Sequence, residues 1–464
     1  MELKLDPGRV AGLTDLERYQ LERLVKIYKT HLPGNNEKNR YYEGKISLAS
    51  VNLGIALPEG MRGLEIGCAW GAKTVDVLAA RSMFDGFVGE NGEAVTLLDQ
   101  IVKDNDLIAQ YMPAARDELK FGCTFATLSG DPKIGCKIRF HSPQTAAAEW
   151  SGEAGRIAYG FAIIDTAPDF YRPEERSPSL INFYTDDAVI VLVRIGSEWT
   201  ATRYPNRMGR PLMEPLIWNA TSDKPLGRSR IKEPVRRLIQ GYVRTIANAT
   251  IGLEFATSPQ KYLLGVTDEQ YDVLVNQKFR QYVGSILAST SNPETGEKPT
   301  FGQLTQGNIS PHVEMVRVLA TQFSAATGLS VTDTGVVNDA NPTSSDAILA
   351  QSQTLVAMAE QMNANNGNAL KNIAMMAMAI SQDITLDELP EDQRDIIAHF
   401  KNPARPSVAV TADAALKIAG GRPSFAQTDI FLEMLGFDQA DIRRIKNQEA
   451  RARGTALIEE LTAT

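Results

Sequence analysis

Cysteine and histidine are scarce in this 464-residue chain, with three of one and four of the other. Cys68, Cys123 and Cys136 are an odd number at spacings that match no zinc or redox pattern, so they predict reduced core side chains, with no disulfides and no metal. His31, His141, His312 and His399 are far apart and none stands in an HExxH or similar spacing, which predicts surface or packing roles. Runs of 18 or more apolar residues are also lacking, and the first residues do not have the charged-then-apolar layout of a signal peptide. Both absences predict a soluble chain made in a cytosol. Excess positive charge is missing too: 48 Lys and Arg against 56 Asp and Glu leave a net charge of -8. That balance argues against gripping nucleic acid through a basic surface. It leaves sliding contact open, because a conduit for a polyanion gains from weak binding, and it fits a generic cytosolic protein as well.

What is present is an ordinary folding composition, 43% hydrophobic and 22% charged, with length for about two to four domains. Thr14 and Glu17 have capping-box spacing, and Leu21, Leu24, Val25 and Tyr28 form one stripe, predicting an amphipathic helix ended by Pro33-Gly34. Helices are further expected over 70–81, with Trp70, Val77 and Leu78 as core, and over 94–111. Between 121 and 218 the texture changes. Runs at 123–128, 137–141, 159–165 and 188–195 are rich in Val, Ile, Thr and aromatics and separated by Gly, Pro and Asp, which reads as antiparallel β structure. Gly209-Arg210-Pro211 and Lys224-Pro225-Leu226-Gly227 break that pattern. Val235, Leu238, Ile239, Tyr242, Val243 and Ile246 then recur with helical periodicity.

Farther on, Ser310-Pro311 supplies an N-cap and first-turn proline for a helix that Gly328 ends. A polar loop follows, and 343–380 lacks proline; as one helix it would span about 57 Å. Asn363, Gly367 and Asn368 mark a bend in it. The tail carries a β candidate at 407–411 and two helices divided by Gly436, the last over 440–462. Met358, Met362, Met375, Met376 and Met378 read as adaptable core between long helices. Long central helices between segments that cannot obviously pack on one another predict an elongated subunit whose core is completed by neighbours.

No motif carries catalysis. Gly86, Gly89 and Gly92 lack the Lys-Ser/Thr of a phosphate cradle and read as a turn. Cys68 between Gly67 and Trp70 has no nearby base and reads as buried. Asp165, Asp169, Asp186 and Asp187 are the carboxylates from which a metal-dependent nuclease site would be built, but Asp186-Asp187 sits where a turn between strands needs Asp.

Several separated segments resemble the gp6-like (SPP1-type) portal proteins of long-tailed bacteriophages. They are Arg40-Tyr41-Tyr42-Glu43-Gly44-Lys45, Gly227-Arg228-Ser229-Arg230-Ile231, Ser258-Pro259-Gln260-Lys261-Tyr262-Leu263-Leu264-Gly265, Asn341-Pro342-Thr343-Ser344-Ser345-Asp346-Ala347-Ile348 and Ala412-Asp413-Ala414-Ala415-Leu416-Lys417. They stand in family order over about residues 14–450. The resemblance implies an α+β portal fold with wing, stem, clip and crown regions, long central helices and an antiparallel β wing, assembled as a dodecameric ring at one capsid vertex. The wing is then 1–226 with a return at 383–419, the first stem helix 227–251, the clip 252–308, the second stem helix 309–327, the tunnel loop 328–342, the long kinked helix 343–382 and the crown 420–464. The match is loose over 381–402.

By the same resemblance the ring conducts double-stranded DNA in packaging and ejection, and meets the terminase large subunit, the head-tail adaptor, the major capsid protein and scaffold protein. It involves no membrane, cofactor, metal or catalytic residue, and assembles in the host cytoplasm before residing in the virion. Thr332, Asp333, Thr334, Asn338, Asp339 and Asn341 would face DNA from the tunnel loop with short polar groups that keep friction low. Arg228, Arg230, Lys232, Arg236, Arg237 and Arg244 are candidate channel or stem contacts, with a solvated face or salt bridges to a neighbouring subunit as the alternative. Arg443, Arg444, Lys446, Arg451 and Arg453 are candidate crown contacts, or an exposed helix. Two other functions remain: another head-tail morphogenesis protein, an adaptor or minor capsid protein, and a nuclease needing a divalent metal and converging carboxylates.

Overall fold

Thr14 and Glu17 close the expected capping box, with Thr14 N donating to Glu17 Oε2 at 2.8 Å and Glu17 N to Thr14 Oγ1 at 3.3 Å. In the computed structural model the helix they start, α1 (Asp15–Tyr42), does not end at Pro33. A proline inside a helix costs about 3 kcal/mol. Here Pro33 is exposed, and anchors beyond it hold the second half in place: Asn35 Nδ2 donates to Pro143 O at 3.3 Å, Lys38 Nζ to Phe121 O at 3.3 Å, and Tyr41 is buried. Residues 3–46, 66–89, 96–168, 175–196, 198–257, 261–264, 296, 300–303, 308–336, 345–404, 408–437, 441–442 and 444–452 are described.

After α2 (Trp70–Ala79) comes β1 (Phe84–Gly89), so Gly86 and Gly89 lie in a strand where a turn was expected; Gly92 lies outside the described residues. Gly86 has φ +122° at a register shift, a conformation that glycine permits, and the strand is made by a distant partner. The single helix expected over 94–111 is two, α3 (Thr96–Asp104) and α4 (Leu107–Phe121). Asp106 between them is left-handed, and the buried Asn105 side chain donates to Ile101 O and Cys136 O and accepts from Ile138 N. Those bonds tie the break to the sheet.

The β region is antiparallel, as its alternation implies. It comprises β2 (Cys123–Asp131), β3 (Gly135–His141), β4 (Ala146–Ser151), β5 (Arg156–Pro168), β6 (Arg176–Tyr184), β7 (Ala188–Ile195), β8 (Glu198–Pro205) and β9 (Met213–Ile217). Strands β4 to β8 form a five-stranded meander, and β3-β2-β9 a separate sheet. One face of the meander, with Phe161, Ile181, Phe183, Ile190 and Leu192, packs on Leu21, Leu24, Val25 and Tyr28 of α1. Each fully buried side chain of that size contributes about 1.5–3 kcal/mol.

The second half carries α5 (Glu233–Thr257), which runs six residues past the expected border at 251, then β10 (Lys261–Leu264) paired with β11 (Thr300–Gln303). Next come α6 (Ser310–Thr327) and α7 (Ser345–Gln382). Ser310 is inside α6; the N-cap is Ile309, and Asn308 Oδ1 accepts from Ser310 N at 2.9 Å. Gly328, at φ +73°, ends the helix as its left-handed position requires. Helix α7 passes through the Asn-rich cluster as one helix. Its end is apolar all round, Ala374, Met376, Ala377, Met378 and Ala379 being buried within the chain's own main core.

Strand β12 (Ile396–Phe400) then returns to pair with β1, Phe84 against Phe400. The β candidate at 407–411 is instead the start of α8 (Val408–Gly421), whose alanines favour helix. Helix α9 (Asp429–Met434) and helical residues 441–442 and 444–452 follow. Among the described residues no helix is long and apolar enough to cross a membrane.

Candidate functional site

Five segments meet around Trp70 and Arg230. Trp70 opens α2, stacks at 4.6 Å on Tyr242 of α5 and at 4.7 Å on Phe323 of α6, and its Nε1 donates to Thr334 O at 3.2 Å. It therefore holds the helix pair α5/α6 and the turn of Thr332–Thr334 against the first half of the chain. Arg230, just ahead of α5, reaches behind that cluster. Its Nε donates to Thr74 O at 2.7 Å, Nη2 to Thr327 O at 2.7 Å and Nη1 to Met358 Sδ at 3.4 Å, with the guanidinium 5.7 Å from the Trp218 ring. Burial lowers its pKa to about 10, so it remains a cation at neutral pH. The carbonyl end of α6 and the Trp218 face supply the negative potential that a carboxylate would otherwise give.

Arg230 is thus no surface contact: it is 7% exposed and its donors serve internal carbonyls and a thioether. The other basic residues placed with it are largely paired. Arg228 binds Asp223 at 2.9 Å, Arg236 bridges Glu37 and Glu233 at 2.7 Å each, and Arg237 reaches Glu233 at 2.9 Å. Lys232 and Arg244 are exposed.

The turn after α6 is internally braced. Asp333 Oδ2 accepts from Ser330 N at 3.0 Å and from Ser330 Oγ at 2.7 Å, so this carboxylate shapes the turn, whereas Thr332 is exposed and Thr334 half-buried. Asn338, Asp339 and Asn341 lie outside the described residues. Packing behind the turn is close: a Cβ on Gly328 would stand 2.9 Å from Met358 Cε.

Toward the C-terminus, Arg444 pairs with Asp441 at 3.3 Å and Lys446 with Asp429 at 2.5 Å; both are exposed, as is Arg451. Arg443 and Arg453 lie outside the described residues. His399 of β12 sits between Asp85 at 3.8 Å and Glu433 of α9 at 3.5 Å, linking this end of the chain to the β1/β12 pair.

A second anchor for α7 was not apparent in the sequence. Asn366, fully buried, donates to Tyr111 OH at 2.9 Å and Glu118 Oε2 at 2.7 Å, and Tyr111 OH shares a 2.8 Å hydrogen bond with Ser82 Oγ. Burial raises the Glu118 carboxyl to about 8 and also raises Tyr111, so the cluster is neutral through most of the physiological range. The only signal was the run of asparagines, which reads equally as a bend.

The three cysteines are buried, and burial raises their thiols to about 11 for Cys68 and about 12 for Cys123 and Cys136. His141 is pushed down to about 4, chiefly by burial, with its Nε2 at 3.0 Å from Thr127 Oγ1. Asp187 pairs with Arg203, which also holds the buried Glu17. Among the described residues no three His, Cys, Asp or Glu side chains stand together as metal ligands.

No protein-family model matches the chain. It is 23% identical over 453 residues to the portal protein of Mycobacterium phage D29 and 24% identical over 453 residues to that of Mycobacterium phage L5. In each case the match covers 94% of this chain and 90% of the relative. Its fold is similar, at a TM-score of 0.46 and 14% identity, to a chain from the neck of an empty GTA particle, over 86% of this chain and 99% of that one.

Proposed function

We propose that this chain is the subunit of a bacteriophage portal, a homo-oligomeric ring at the capsid vertex that conducts the genome and acts without catalysis of its own. The observation that carries the reading is the end-to-end similarity to two portal proteins over 453 residues. A shared module would match only a part of such a chain.

The geometry supports it. Val313, Met315 and Val318 of α6 and Leu253 of α5 are each 45–49% exposed, on the helix pair that Trp70 clamps. Side chains of this kind gain by being covered, and in a closed ring each copy covers its neighbour. The helix pair is accordingly the stem, the β-rich first half with the returning β12 strand the wing, the segment between α5 and α6 the clip, 328–342 the tunnel loop and the residues from 420 the crown. Within this scheme the ring is dodecameric and of the gp6-like (SPP1-type) kind. It passes double-stranded DNA, meets the terminase large subunit, head-tail adaptor, major capsid protein and scaffold, and assembles in the bacterial cytoplasm. Thr332, Asn338, Asp339 and Asn341 are the DNA-facing groups, with Asp333 bracing the turn that presents them. Lys232, Arg244, Arg444, Lys446 and Arg451, with Arg443 and Arg453, are the basic contacts of stem and crown.

The test is genetic: phage particles made without this chain should be DNA-free and tailless, with rescue by the gene in trans. DNA-filled, tailed particles made without it would remove the reading.

A further inference from the structure

A cleft of about 700 Å³ lies between the second half of α1, strand β4 and the segment that leads into α5. Its lining combines two chemistries. Phe121, Trp150 and Leu226 contribute apolar surface to its lining, and His31, Lys38 and Lys224 contribute basic groups. None of these three bases has a carboxylate partner among the described residues. Glu233, which also lines the cleft, and nearby Glu37 are already ion-paired with Arg236.

The bases act on one another. Lys38 Nζ donates to two neutral oxygens, Asn35 Oδ1 at 3.2 Å and Phe121 O at 3.3 Å, which leaves its third hydrogen for another acceptor. Burial first, then the Lys38 and Lys224 charges, hold His31 below its ordinary pKa. Lys38 is lowered by burial foremost, with Arg236 and Lys224 adding to it and Glu37 opposing them. An incoming anion would relieve this mutual repulsion. The local sign is also opposite to that of the chain, whose net charge is -8. A phosphate or chloride would answer the cations but leave the apolar surface wet, whereas a peptide carrying a carboxylate beside a large apolar side chain answers both chemistries.

We propose that this cleft is a docking site for an acidic, apolar-anchored peptide segment of a partner protein, its carboxylate among His31, Lys38 and Lys224 and its neighbouring side chain over Phe121, Trp150 and Leu226. The site borders the start of α5, is lined by no residue of the turn after α6, and goes beyond the portal reading.

The test is calorimetric titration of the full chain with the blocked peptide acetyl-Leu-Phe-Glu-Glu-Leu-Phe-amide, its Gln-for-Glu counterpart and inorganic phosphate. Binding of the acidic peptide should weaken by about tenfold or more with the Gln peptide and with either Lys38→Met or Lys224→Glu. Lys224 is exposed, so its variant should keep the fold, and Lys133→Ala, on the turn between β2 and β3, should bind like the parent. The proposal is overturned if the acidic peptide does not bind, if the Gln peptide binds equally well, if Lys224→Glu has no effect, or if phosphate displaces the peptide at equal concentration.

Discussion

Replacing Glu118 with Gln should change how stability depends on pH, and the structure fixes the direction. The Glu118 carboxyl is raised from 4.5 to about 8 by burial, and its Oε2 accepts from Asn366 of α7. An acid whose folded pKa is raised keeps its proton over a window in which the unfolded chain has lost it. The folded state therefore binds more protons between pH 4.5 and 8, and stability falls as pH rises through that window, then levels off above it. At about 1.4 kcal/mol per pH unit, the fall between pH 5.5 and 8.5 is roughly 3 kcal/mol. Glutamine has the shape of the neutral acid and cannot ionise, so Glu118→Gln removes this contribution while keeping the acceptor for Asn366. At about 1–2 °C per kcal/mol for a chain of this length, the gap by which the variant's Tm exceeds the parent's in differential scanning fluorimetry should be roughly 3–6 °C wider at pH 8.5 than at pH 5.5. Other titrating groups cancel in the comparison. Tm curves that stay parallel across the range would refute the assignment of Glu118 as a buried neutral acid.

Arg230→Leu should cost about 2–4 kcal/mol in chemical denaturation, because Thr74 O and Thr327 O lose their buried donors, and Arg230→Lys should restore little, since one ammonium cannot serve both. Gly71→Ala should destabilise by about 3 kcal/mol or more, or prevent soluble expression, because the added Cβ would lie 2.0 Å from Tyr41 O where α1 crosses α2. Thr332→Lys should leave the fold and the assembly intact while lowering the yield of DNA-filled particles, since a cation on this exposed residue adds attraction to passing phosphates. Unchanged packaging would separate this turn from the channel.

Local structure was largely legible in the sequence wherever a side-chain pattern is set by near neighbours. The capping box at Thr14, the periodicity from Val235 to Ile246 and the alternation over 188–195 all appear in the structure, because each is decided within a few residues. What was not legible depends on partners far along the chain. Gly86 belongs to a strand only because β12 arrives more than 300 residues later, and Pro33 stays inside a helix only because Asn35 and Lys38 find carbonyls on other elements. Arg230 looks like one member of a basic row, yet its position at the junction of α2, α6 and α7 makes it internal. Asn366 looks like a helix breaker and is the buried anchor of the longest helix. In each case composition signals a polar or flexible residue, and only the long-range contact says what that residue holds.

The ring itself is the central claim. Negative-stain imaging of the purified full-length protein, with its mass determined in solution, should give annular particles of about a dozen copies with a central hole. A compact monomer or dimer under the same conditions would contradict the account.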